Sequence, residues 1–271
     1  MNLFETDVYA VSADELLKRT EEELKRLVLA FVGHLLDEAK IETDIRTMQV
    51  IAYVALHEKA PSDALVFALK DLGGFKEAHE RFDKDHRKVH RLLNRKAILD
   101  CVDAFESFVA GLNEILLFAF PRFLITPPDT AVAGTQFEDL FEAESLLAAR
   151  RSVVRRRVKT LIQADNLLEV IEKSQRRFGV DLKISKTSRL ALLELLAARN
   201  VLVHNAGVVN EIYMALMKRN EISTTYRVGD RVTLENTYVD DARALTKQVA
   251  GAIFDAIKGS LTQIARYHSA R

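Results

Sequence analysis

The chain has 271 residues, of which 48% are hydrophobic and 29% charged, a globular balance that excludes wholesale disorder and suits one large domain or two smaller ones. Lys+Arg and Asp+Glu both number 39, so any hold on nucleic acid or anionic lipid must come from a local patch. A single cysteine, Cys101, excludes an intrachain disulfide and a thiolate zinc cluster.

Only four prolines and ten glycines punctuate the chain, so helix is the default state. Ser12-Ala-Asp-Glu15 has the capping-box pattern. Leu16, Leu17, Leu24, Leu27, Phe31 and Leu35 follow at three- and four-residue steps, which predicts an amphipathic helix to about residue 39. A second helix is predicted over about 44–58, ahead of Pro61. A short third follows Ser62 and stops at Gly73-Gly74, and a fourth runs from about 76 into the low nineties. The charge-dense stretch Lys76–Lys96 marks a soft boundary near Leu92–Arg95. It divides the chain into a helical N-terminal region, 1–94, with no assigned role, and a helical-bundle domain, 95–271.

A helix over about 95–119 carries Ile98, Val102, Phe105, Val109, Leu112 and Leu116 and ends at Pro121; residues 121–134 read as a loop. Thr135-Gln-Phe-Glu138 is a second capping box and opens a helix to about 163. Another helix follows to Gly179, a suitable left-handed stop, and the next runs from about Thr187 to Asn205 or Ala206, with Gly207 at the cap. Tyr226, Val228, Val232 and Leu234 around Gly229-Asp230 predict a small hairpin. A last amphipathic helix spans about Tyr238 to Tyr267. The fold class is all-α: a helical bundle with a short extended excursion near 225–234.

No apolar run approaches the roughly 18–20 residues of a membrane span. The opening Met-Asn-Leu-Phe-Glu-Thr-Asp has neither a basic nor an apolar region of signal-peptide type. The expectation is a cytoplasmic protein without a membrane partner.

One stretch carries chemistry, Ala197-Ala-Arg199-Asn200-Val-Leu-Val-His204-Asn205-Ala-Gly207. At helical spacing Asn200 and His204 share a face, and Arg199 sits about 140° from His204. Leu190, Leu192, Leu193, Leu195, Leu196, Val201, Leu202 and Val203 cover nearly every side, so the helix is expected to be buried in a bundle or an interface. Arginine offers a charged fork for phosphate oxygens, and histidine takes or gives a proton near neutrality. Together they suit attack by a ribose 2′-hydroxyl on the adjacent phosphate. The bland alternative is that His204 merely complements the helix dipole, with Asn205 and Gly207 as cap residues.

Arg199-Asn200-x3-His204 resembles the Arg-polar-x(3–5)-His signature of the HEPN superfamily of all-helical ribonucleases. The 95–124 segment resembles that domain's opening helix. VHNAGVVNEIY and YRVGDRVTLENTYVDDA resemble the tail of stand-alone HEPN proteins of phage-defence and toxin systems. The resemblance covers about residues 95–271, and residues 1–94 have no counterpart. It implies metal-independent RNA cleavage, without a cofactor, in a composite cleft of a homodimer, with an antitoxin or defence-system protein as a further partner. His204 would be the general acid/base, Arg199 the phosphate clamp, and Asn200 a positioning residue.

Arg150, Arg151, Arg155, Arg156, Arg157 and Lys159 form a basic cluster on a helix whose buried stripe is Leu147, Val154, Val158 and Leu161. Arg155, Arg156 and Lys159 point away from that stripe. With Asn205 they are the candidate RNA contacts, although basic residues late in a helix also complement its dipole. Phe105, Phe108, Phe118, Phe120 and Phe123 suit a core rather than a base-stacking surface. His79, Asp83, His86 and His90 share one helical face, but among so many charges they read as solvated, and no metal site is assigned. Two alternatives to the ribonuclease therefore stand: a catalytically inactive HEPN interaction module, and a metal-binding helical oxidoreductase using His79, His86 and His90.

Overall fold

A computed structural model describes residues 3–8, 10–57, 87–124, 145–164 and 166–270. Within them the protein is all-α. The helices are α1 (Ala13–His57), α2 (Arg87–Ala119), α3 (Leu146–Ala164), α4 (Leu167–Phe178), α5 (Lys186–His204), α6 (Glu211–Arg219) and α7 (Asn236–Ala270), with 3₁₀ turns at Leu3–Glu5 and Pro121–Leu124. None of these helices is long and apolar enough to cross a membrane.

Cap chemistry sets several boundaries, at Ser12 and Gly179 as the sequence predicts and at Asn166 and Ser185 where no cap was expected. Ser12 Oγ accepts from the Glu15 amide at 3.2 Å, Asn166 Oδ1 from the Glu169 amide at 3.0 Å, and Ser185 Oγ from the Ser188 amide at 3.0 Å. Each satisfies an amide that the first helical turn leaves without a partner. Gly179 closes α4 at φ 67° and donates its amide to the Gln175 carbonyl, a conformation that a Cβ would penalise.

Three long helices, α1, α2 and α7, pack against one another, and α3, α4 and α5 close over α2. Leu24, Phe31 and Leu35 of α1 meet Ile98, Val102, Phe105, Val109, Leu112 and Leu116 of α2, and Val249, Ile253, Ile257 and Ile264 of α7, in one core. Burying each such side chain contributes about 1.5–3 kcal/mol before the cost of ordering the chain. Helices α1 and α2 pack tightly at Gly111, where a Cβ would lie 2.7 Å from Leu27 Cδ1. The five phenylalanines Phe105, Phe108, Phe118, Phe120 and Phe123 are all buried. Phe31 lies 5.3 Å from Phe108, and Phe123 meets Phe178 edge-on at 5.3 Å. Cys101 is buried against the Thr246 hydroxyl.

Several elements differ from the sequence expectation. The predicted first and second helices are one 45-residue helix, α1. No proline or glycine lies between Gly33 and Pro61, and Thr43 and Thr47 donate their hydroxyls back to the Ala39 and Thr43 carbonyls at 2.9 Å instead of capping a new helix. Helix α2 runs through Leu92–Arg95 without interruption, so no change of element marks the soft boundary there, and α1 shares its core with α2 and α7. The helix expected after Ser62, the first part of the one expected from about 76 into the low nineties, and the Thr135–Glu138 box lie outside the described residues; the end of that fourth helix, from Arg87, is continuous with the predicted 95–119 helix in α2. Helix α3 starts at Leu146, where Ser145 Oγ accepts from the Ala148 amide at 3.1 Å.

The predicted hairpin is also replaced. Its turn forms, with Asp230 donating its amide to the Arg227 carbonyl at 3.0 Å and Gly229 at φ 95°. The segment then pairs with the turn after α5. Val209 N donates to Asp230 O at 2.8 Å, Gly229 N to Val209 O at 2.9 Å, and Val232 N to Gly207 O at 2.9 Å, around a single antiparallel bridge, Val208–Arg231. Positive φ at Ala206 (51°) and Gly207 (79°) turns the chain to make this pairing possible.

Helix α6 was not expected from the sequence. Asn210 caps it, accepting from the Tyr213 amide at 2.9 Å. Tyr213, Met217, Val209 and Val232 pack with Ala197, Ala198 and Val201 of α5 in a second, smaller core. Glu194 ties the group together, accepting from Tyr213 at 3.0 Å and from Tyr238 of α7 at 3.0 Å. Burial pushes the Glu194 carboxyl above its usual range, and the two tyrosine hydroxyls oppose that shift.

Candidate nucleic-acid site on helix α5

Helix α5 is not buried on all sides, contrary to the even apolar pattern. Leu192, Leu195, Ala198, Val201 and Leu202 are buried, whereas Asn200, Val203 and His204 are exposed. The exposed strip fits the geometry that puts Asn200 and His204 on one face.

Arg199 turns the other way, toward α2. Its Nη2 lies 3.1 Å from Asp103 Oδ1 and 3.9 Å from Glu106 Oε2, and its side chain is only 23% exposed. Its Nη1 donates to the neighbouring Asn200 Oδ1 at 3.4 Å. The buried Nε has no partner among the described residues, an unmet donor that costs about 1–3 kcal/mol. The guanidinium is thus held between two carboxylates and an amide.

A cleft of about 250 Å³ opens at this point, lined by Arg199, Asn200 and Leu196 of α5, Glu106 of α2, Ile162 of α3, and Asn166, Leu167 and Val170 at the start of α4. Apolar walls surround a guanidinium, a carboxylate and two carboxamides. Burial pushes the Glu106 carboxyl upward, Arg199 opposes, and Asp103 adds to the rise. Such a cleft can hold an anionic oxygen on the guanidinium and exchange a proton with the carboxylate.

The structure brings Arg199 and Asn200 together in this cleft and leaves His204 outside it. Asn205 does not face outward as a free contact. It caps α5, and its side-chain amide donates to the Val208 carbonyl. Of the basic cluster, Arg155, Arg156 and Lys159 are exposed, and Arg155 pairs with Glu114 at 3.0 Å. Arg150 packs over the Phe118 ring, 4.5 Å from its centroid, and Arg151 donates to the Phe4 carbonyl at 2.7 Å. These two serve packing between elements rather than an open surface. His79, Asp83 and His86 lie outside the described residues, as does the side chain of His90.

Sequence reasoning missed Asp103, Glu106 and Asn166. The available signal was the Asp103-x-x-Glu106 spacing, which places two carboxylates on the same side of a helix that is otherwise mostly buried. No protein-family model, curated protein or solved structure matches this chain.

Proposed function

We propose that this protein is a metal-independent endoribonuclease of HEPN type, serving antiviral defence or acting as a regulated toxin. It would work as a homodimer in which the Arg199 and His204 of two copies form one composite site. The observation that carries this reading is a guanidinium lining a polar cleft, with an exposed imidazole five positions further along the same helix. Arg199 would clamp the scissile phosphate, Asn200 would position the arginine or the RNA, and His204 would transfer protons during attack by the 2′-hydroxyl. The exposed Arg155, Arg156 and Lys159 would guide the RNA backbone.

Arg199→Ala and His204→Ala should each abolish cleavage of single-stranded RNA by purified protein in EDTA, and with it any growth toxicity. Toxicity that survives both substitutions contradicts the proposal. A second reading, a catalytically silent HEPN interaction module, draws support from the pairing of Arg199 with Asp103 and Glu106, which already engages the fork. That reading expects a stable partner complex and no cleavage by the wild type.

A further inference from the structure

Within one copy His204 lies outside the Arg199 cleft, about 140° round the helix from Arg199, so the acid–base group beside that copy's own guanidinium is a different residue. Among the lining residues Glu106 is the one with an acid–base side chain for that task; the rest are apolar, carboxamide or guanidinium. It is 33% exposed and its Oε2 lies 3.9 Å from Arg199 Nη2.

We infer that Glu106 is the general base of this cleft, taking the 2′-hydroxyl proton of an RNA strand whose scissile phosphate rests on Arg199. The inference rests on the ribonuclease reading above and divides its acid–base work between two residues. The 2′-oxygen bonds to phosphorus as its proton passes to the Glu106 carboxylate. The bond from phosphorus to the 5′-oxygen breaks, and that leaving oxygen takes a proton from the His204 that the second copy brings to the composite site. The products are a 2′,3′-cyclic phosphate and a 5′-hydroxyl.

The surroundings tune the carboxylate for this step. Among the described residues Asp103 on its own helix and Arg199 on α5 are the charged groups acting on it, while α3 and α4 present Ile162, Leu167, Val170 and the neutral Asn166. Burial and Asp103 raise its proton affinity and Arg199 limits the rise. A base moved toward the working pH accepts a proton more effectively than an ordinary carboxylate.

The test is the pH–rate profile of wild type, Glu106→Gln and Glu106→Asp on a single-stranded RNA oligonucleotide in EDTA. Wild type should lose activity on the acid side with a midpoint above the ordinary glutamate range. Glu106→Gln should lose roughly 10²–10⁴-fold in rate together with that acid limb, and Glu106→Asp should recover part of both. A purely structural Glu106 would leave the limb in place, and Glu106→Gln cleaving like wild type with the limb intact overturns the assignment alone. Should Glu106→Gln fail to fold by circular dichroism, the wild-type profile decides, since a rate that stays flat into the ordinary carboxylate range excludes this base. Wild type that cleaves no RNA removes the ribonuclease reading and this assignment together.

Discussion

Arg95 Nη2 of α2 donates to the Leu202 carbonyl of α5 at 2.8 Å. Leu202 sits in the last turn of α5, where carbonyls run out of intrahelical amides, and a cation there also complements the helix dipole. The bond fixes the turn that carries His204. Arg95→Met should keep most of the packing and lose the charged hydrogen bond, lowering stability by about 1–2 kcal/mol. Denaturant titration measures the loss, and amide exchange should quicken first in residues 201–205.

Gly207 and Gly259 should respond oppositely to alanine. Gly207 holds φ 79°, and its Cβ would meet Leu202 Cδ2 at 3.4 Å. Gly207→Ala should therefore cost about 1–2 kcal/mol and loosen the bridge to Arg231. Gly259 lies inside α7 with nothing within 4 Å of an added Cβ, so Gly259→Ala should stabilise by about 0.5–1 kcal/mol. Thermal melts of the two variants give the comparison.

Glu194 makes stability depend on pH. Its carboxyl is raised in the folded protein, chiefly by burial, so the folded state binds the proton more tightly than the unfolded state. The contribution is full below the ordinary glutamate range and is lost as pH rises toward the folded-state value. Glu194→Gln keeps an acceptor for the tyrosine hydroxyls without the charge. Its melting temperature should gain on that of wild type as pH rises through this window, and a constant difference would contradict the account.

Asp103 competes with any phosphate for the Arg199 fork. Its side chain is 59% exposed, so Asp103→Asn should change stability by no more than about 1 kcal/mol. It should tighten binding of single-stranded RNA at low salt, and adding Arg199→Ala should cancel the gain. Fluorescence anisotropy of a labelled oligonucleotide measures both.

What the sequence conveys best here is local. Ser12 and Gly179 act through neighbours three or four residues away, so their roles are visible in the pattern itself. The second helix expected from about residue 44 is a continuation of α1, and only the packed structure reveals the Thr43 hydroxyl bonding back into it. Nine-residue α6 lacks the length over which periodicity becomes legible, and its Asn210 cap passes for a loop residue. The Gly229-Asp230 turn is legible, but its pairing partners are not, since they follow a different helix. The site divides in the same way. Arg199, Asn200 and His204 announce themselves by spacing, whereas Asp103 and Glu106 meet Arg199 from a distant part of the chain.

The seating of α7 between α1 and α2 has a kinetic consequence. During synthesis α1 and α2 emerge with the surface meant for Ile253, Ile257 and Ile264 still bare, and it stays bare until α7 leaves the ribosome. Closing a loop on the order of 200 residues is the step that completes the core. Refolding of the full chain should therefore be slow for an all-helical protein, with aggregation concentrated in the interval before that last helix docks.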